Sequence, residues 1–190
     1  MPSNQYYIED FLDAKRNRIT VLGSGSGPAY NAVISVVFSD EATAEPILLQ
    51  EAKDWLRIDV TDDDGLITKL IKAARIVCEN YANLSFINRT VTAKIHNGLG
   101  NFYLPYGPVM GDIVHIADTD DVELSDYNVN DAYADDIIVT YDAGYEVLPE
   151  NFRTAILDQV SFMYSSRGDS KVASGLSLES ILVLNQYRNI

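Results

Sequence analysis

Apolar residues recur along the middle of the chain with the spacing of a helix that is buried on one face. They fall at Leu66, Ile67, Leu70, Ile71, Ala74, Val77, Cys78 and Tyr81, with Lys69, Lys72, Arg75 and Glu79 on the opposite side, which predicts a long helix over 62–83. Thr61-Asp62-Asp63-Asp64 stands at its start, where a hydroxyl or carboxylate can cap free N–H groups and negative charge meets the positive end of the helix dipole. Losing such a cap costs about 1 kcal/mol. A shorter helix over 46–58 precedes it, opened by Pro46 and carrying Leu48, Leu49, Ala52, Trp55 and Leu56. A third, over 149–165, starts at Pro149-Glu150 and aligns Phe152, Ala155, Ile156, Val160, Met163 and Tyr164, a stripe expected to pack beside the 62–83 helix.

Between Arg89 and Tyr145 the period changes to two. Val91, Ala93 and Ile95 alternate with Thr92, Lys94 and His96, and further short runs follow at Phe102–Pro105, Ile113–Ala117, Tyr127–Val129 and Ile137–Tyr141. These read as an antiparallel meander over 89–145 whose inner face can lie on the long helix. The fold class is therefore α+β: a small helical bundle, two long helices plus a short one, packed with an antiparallel β-meander and carrying extended N- and C-terminal arms. Residues 1–31 read as an arm or extension, 32–165 as the core, and 166–190 as a polar bridge followed by a tail. In that tail Leu176, Leu178, Ile181, Leu182, Leu184 and Tyr187 need a surface to bury them, either the chain's own core or a partner subunit.

Composition adds to this picture in one respect. A content of 47% hydrophobic and 22% charged residues is that of a folded chain, and 190 residues suffice for one core. The formal charge of -14, however, is concentrated. Between Lys94 and Arg153 there is no Lys or Arg, while twelve acids occur there, among them Asp118, Asp120, Asp121 and Glu123. The remainder of the chain is nearly neutral. Such a region repels phosphate and attracts basic partners, or simply keeps loops solvated.

Catalytic and ligand chemistry finds little support. Gly23-Ser24-Gly25-Ser26-Gly27 invites a nucleotide-binding reading, but the strand-like run from Val33 follows Pro28 too closely for the crossover that a parallel pair needs. A flexible Gly/Ser link between two strand-like pieces is the better account, which makes residues 19–38 either a loose hairpin or an arm that docks on a neighbour. An EF-hand over 59–70 lacks the glycine at its sixth position and the glutamate at its twelfth, which are Asp64 and Leu70. His96 and His115 form no helix-spaced pair, and Cys78 sits on the apolar stripe as a small buried hydrophobe. The expectation is no enzyme, no cofactor, no metal and no membrane span, in a chain made and used in a cytosol-like compartment.

Four segments stand out in order: Glu45-Pro46-Ile47-Leu48-Leu49-Gln50-Glu51-Ala52-Lys53-Asp54-Trp55-Leu56-Arg57-Ile58-Asp59; Asp62-Asp63-Asp64 with Leu66-Ile67 and Ala73-Ala74-Arg75; Leu104-Pro105-Tyr106-Gly107-Pro108-Val109; and Tyr141-Asp142-Ala143-Gly144-Tyr145 with Leu148-Pro149 and the helix after it. Together they resemble the head-tail connector (head-completion adaptor) family of tailed bacteriophages. The resemblance spans about 33–190 and implies a non-enzymatic virion protein of the neck, made in the bacterial host cytoplasm. It implies a homo-oligomeric ring, commonly dodecameric, between the portal protein and a tail or neck completion protein, through which packaged DNA passes without specific binding. On that footing Leu182, Tyr187 and Arg188 are candidate portal-docking residues, and Asp118, Asp120, Asp121 and Glu123 a candidate acidic channel or partner surface. Truncation after Gly175 is then expected to leave a folded monomer. The alternatives to a connector are an acidic protein-interaction module or, less favourably, a nucleotide binder through Gly23–Gly27.

Overall fold

The computed structural model describes residues 12–13, 18–19, 33–38, 44–96, 102–118, 120, 136–167 and 175–187. The chain divides into two compact units, one of Met1–Glu41 with Asn88–Gly144 and one of Ala42–Ile87 with Tyr145–Ile190. The fold class is α+β, as the two periodicities predict.

The second unit is helical, built from α1 (Leu49–Leu56), α2 (Asp64–Ala82), α3 (Glu150–Ser165) and α4 (Leu178–Leu184). Helices α2 and α3 pack side by side, burying Ile67, Ile71, Ala74, Cys78 and Ala82 against Phe152, Ala155, Ile156 and Val160. Phe86 stacks on Phe152 with ring centroids 4.9 Å apart. Arg57 at φ 58° ends α1 and Asn83 at φ 55° ends α2, each in a left-handed cap.

Three expectations for α2 need correction. Arg75 and Glu79, assigned by spacing to the polar side, are buried, at 2% and 1% exposure. A buried charge persists only with partners, and these two have them. Asp63, at the N-cap position, makes no side-chain cap hydrogen bond. Its carboxylate instead accepts from the Tyr164 hydroxyl and from Arg167 Nη1, because α3 brings those donors alongside. Leu66, counted in the buried stripe, is 37% exposed, since one residue further on Ile67 faces the core directly.

Among the described residues the first unit contains two sheets. Strands β1 (Leu12–Asp13), β2 (Arg18–Ile19) and β5 (Phe102–Tyr103) pair in the order β1-β2-β5. A larger sheet joins β3 (Val33–Phe38), β4 (Arg89–His96), β7 (Asp136–Ala143) and β6 (Val109–Asp118) in the order β3-β4-β7-β6, every pairing antiparallel. The order is not sequential: β5 leaves for the small sheet and β7 inserts between β4 and β6. The inserted strand is buried along one whole face, as a central strand is: Ile137, Val139, Tyr141 and Ala143 are each fully buried. They gather with Val91, Ala93, Ile95, Leu104 and Ile116. On the other face of β4 and β7, Thr90 Oγ1 donates to Asp142 at 2.7 Å, and the Thr92 and Thr140 hydroxyls meet at 3.1 Å, cross-strand pairs of the kind that fix register. Gly23–Gly27, Tyr127–Val129, Asp121, Glu123 and Arg188 lie outside the described residues.

Candidate functional site

The clearest built feature of the helical unit is a set of polar clasps around residues 45–51. Arg75 reaches from α2 to hold Glu45 with both Nε and Nη2, at 2.6 and 3.0 Å, while its Nη1 meets Glu79 at 2.6 Å. Glu79 Oε1 in turn accepts the Phe86 N–H at 2.7 Å. Burial works against the Arg75 charge, but the hydrogen bonds it donates to Glu45 and the nearness of Glu79 outweigh it and hold its pKa above the usual value. From α3, Arg153 donates to the Pro46 carbonyl at 2.6 Å and to Glu51 at 2.5 Å. Lys53, 5% exposed, pairs with Asp64 at 2.6 Å and so pins α1 to the start of α2.

In the sheet unit, Pro105–Pro108 is held in the same manner. The buried Tyr141 hydroxyl donates to the Pro105 carbonyl, and Gly144 N–H donates to the Pro108 carbonyl at 2.9 Å. Burial pushes the Tyr141 hydroxyl pKa far up, so this donor keeps its proton. The segments that carry the resemblance thus meet in pairs: Glu45–Glu51 with Arg75 and Arg153, Pro105–Pro108 with Tyr141–Gly144. Their residues are structural staples with no geometry for catalysis. Among the described residues no cluster of His, Cys, Asp or Glu could hold a metal ion, and no helix is long and apolar enough to cross a membrane. Burial, with Glu79 adding to it, pushes the Cys78 thiol up to about 12, which leaves it a packing residue.

The C-terminal tail is split between two duties. Its inner side belongs to the monomer: Leu184 is fully buried, Ser177 caps α4 by accepting the Ser180 N–H at 3.1 Å, and Ser180 Oγ donates to the Ala155 carbonyl at 2.8 Å. Gln159, buried in α3, donates to the Gly175 carbonyl at 3.0 Å and accepts the Ser177 N–H at 2.7 Å. Truncation after Gly175 would strip Leu184, Ser180 and Ser177 from the core and leave Gln159 without the Ser177 N–H, so the expected folded, truncated monomer is not what this packing supports. Tyr187 also leans inward, its ring edge-on to Phe152 at 4.8 Å and its hydroxyl accepting from Asn151 Nδ2 at 2.6 Å. Leu182, by contrast, is 61% exposed, and Leu178 one turn earlier is 65% exposed. The sequence offered Leu178 only as part of an apolar run. The signal that would have paired it with Leu182 is the i, i+4 spacing in a helix opened by Ser177.

Of the acidic candidates, Asp118 is the last residue of β6, in register with Ile137, and Asp120 is an exposed residue just beyond it.

Among the described residues, then, the site is made of polar staples in an α+β fold, with an apolar helix face turned outward at Leu178 and Leu182. The comparisons make this specific. Residues 46–187 match the family model described as phage gp6-like head-tail connector protein, and the chain belongs to that family, which is structural and not enzymatic. Among solved structures, a chain from the neck of an empty GTA particle computed with C6 symmetry is similar at 13% identity and TM-score 0.61. One from the virion of the native gene transfer agent (GTA) particle is similar at 15% and 0.60, and one from the neck of the native GTA particle computed with C12 symmetry at 12% and 0.59. Each alignment covers 83% of this chain and 96% of the other. No curated protein gives a significant match.

Proposed function

We propose that this chain assembles as a dodecameric ring in the neck of a tailed phage-like particle, between the portal protein and the next tail or neck component. There it completes the head and extends the channel through which the genome leaves. The observation that carries this reading is the family match over residues 46–187. A fold shared with neck chains from particles computed with C6 and C12 symmetry supports a ring.

The charge distribution gives the ring a physical role. Twelve copies at -14 each carry on the order of -170 formal charges, and the acids of the 95–152 stretch facing a channel would repel DNA and keep it from sticking. Replacing Asp118, Asp120 and Asp121 together by Asn is expected to slow genome ejection, and unchanged ejection kinetics would argue against a channel position for them. The outer face of α4, Leu178 and Leu182, is the docking surface for the portal.

The test of the role itself is electron microscopy of particles from a phage whose copy of this gene carries an early stop codon. Tailless heads, empty or leaking DNA, are the expected result. Normal tailed virions would overturn the reading.

A further inference from the structure

Strand β3 closes one end of the four-stranded sheet, and its sequence, Val33-Ile34-Ser35-Val36-Val37-Phe38, has no charge and no proline. Edge strands normally carry such residues, or a strong bulge, to prevent pairing with another chain; the register shift of β3 lies at its start, between Val33 and Ser35, and leaves Ser35–Phe38 regularly paired. Here Val33, Ile34 and Val37 are 44%, 49% and 59% exposed. Val36 packs on the sheet core, and Phe38 is tied up against Arg89, whose guanidinium lies 3.7 Å from its ring centroid, and edge-on to Tyr106. The strand is thus fixed on one side through β4, with its register set from Ser35 to Phe38, while apolar side chains stand outward along it.

We infer that this edge takes the β6 edge of a second copy of the chain, so that one sheet continues into the next around the ring; this rests on the connector reading. Strand direction is the first argument. Three successive antiparallel pairings make β3 and β6 run oppositely, so a neighbour added head to tail keeps the antiparallel alternation unbroken. Symmetry is the second. A β3-to-β3 pairing would join the same patch on both copies and stop at a dimer, whereas joining two different edges is a heterologous contact, which closes into rings. Charge is the third. The β6 end of the sheet terminates at Asp118, with Asp120 just beyond, and β3, which has no charged residue, brings no like charge beside them. The regularly paired stretch of β6, His115–Asp118, is the segment straight enough to receive β3, since the bulge around Gly111, at φ +69°, bends the strand before it.

The test places a photo-crosslinking benzophenone side chain at position 37 in particles carrying the full-length chain. An adduct of twice the 21.1 kDa chain mass, mapping to residues within or beside 115–118 of the second copy, is the expected result. An adduct joining position 37 to position 37, an adduct with a different protein, or no adduct in particles that contain the chain would each overturn the inference and leave the connector reading standing. Particles whose necks lack the chain would overturn both. In parallel, Val37→Lys is expected to leave the melting temperature of the isolated chain unchanged, because the side chain is mostly exposed, and to reduce its copies per particle at least about tenfold. Val37→Thr, an uncharged β-former, is expected to retain them. Undiminished occupancy with Val37→Lys would overturn the inference.

Discussion

Helix α4 presents a paired experiment in which folding and docking separate two residues apart. Leu184 is fully buried among Phe152, Ala155, Ile156 and their neighbours, so Leu184→Ala removes buried methyl groups and leaves a cavity. The loss is about 2–5 kcal/mol, out of roughly 5–15 kcal/mol for a whole domain. For a chain of this size each kcal/mol is worth roughly 2–4 °C, so the melting temperature should fall by about 4–20 °C. Leu182→Ala, at 61% exposure and in a helix that tolerates Ala, should stay within about 0.5 kcal/mol of wild type. If Leu182 is buried on docking, however, truncating it forfeits about 1.5–3 kcal/mol of binding, a rise in Kd of roughly 10- to 150-fold. Thermal unfolding of the isolated chain and a pull-down on purified portal rings give the two readouts. Equal destabilisation by both substitutions would show that the outer face is packed in the monomer. A stable Leu182→Ala chain that binds portal with unaltered affinity would refute the docking face.

Three more outcomes follow from the clasps and the core. Arg75→Met strands Glu79 in the core without its countercharge and frees Glu45, so urea unfolding should show a loss of about 3–5 kcal/mol, and a loss below about 1 kcal/mol would mean the network is not a staple. The Tyr164 hydroxyl, then Arg167, hold the Asp63 pKa below the usual value, so its contribution is present above the unfolded pKa of about 3.9 and is lost as pH falls through the lower folded one. Wild type should therefore exceed Asp63→Asn in stability at pH 7, with the gap closing at the acid end, and a gap that stays constant down to pH values near 2 would contradict this linkage. Cys78, fully buried with its thiol pushed up to about 12, should react with a thiol reagent only after denaturant is added, and fast labelling of the native chain would show that the α2–α3 packing opens.

Periodicity by itself determined three of the four described helices and most of the described strands, because one-sided burial imposes 3.6 on a helix and 2 on a strand; α4 was legible only as an apolar tail. Ile67, Ile71, Ala74 and Cys78, or Val91, Ala93 and Ile95, could be assigned before any contact was known. Charge counting likewise localised the acidic stretch, and the four motifs, taken in order, pointed to the family. Tertiary structure alone decided where charge is buried. Arg75 and Glu79 look like solvated helix positions until Glu45, thirty residues before Arg75, and the Phe86 N–H supply their partners. It also decided strand order, since pairing β4 with β7 and not with β5 is a choice among non-local edges that local pattern does not encode. The tail shows the same division: its apolar content was plain, but only the position of α4 on α3 separates Leu184, which holds the monomer together, from Leu178 and Leu182, which stay exposed.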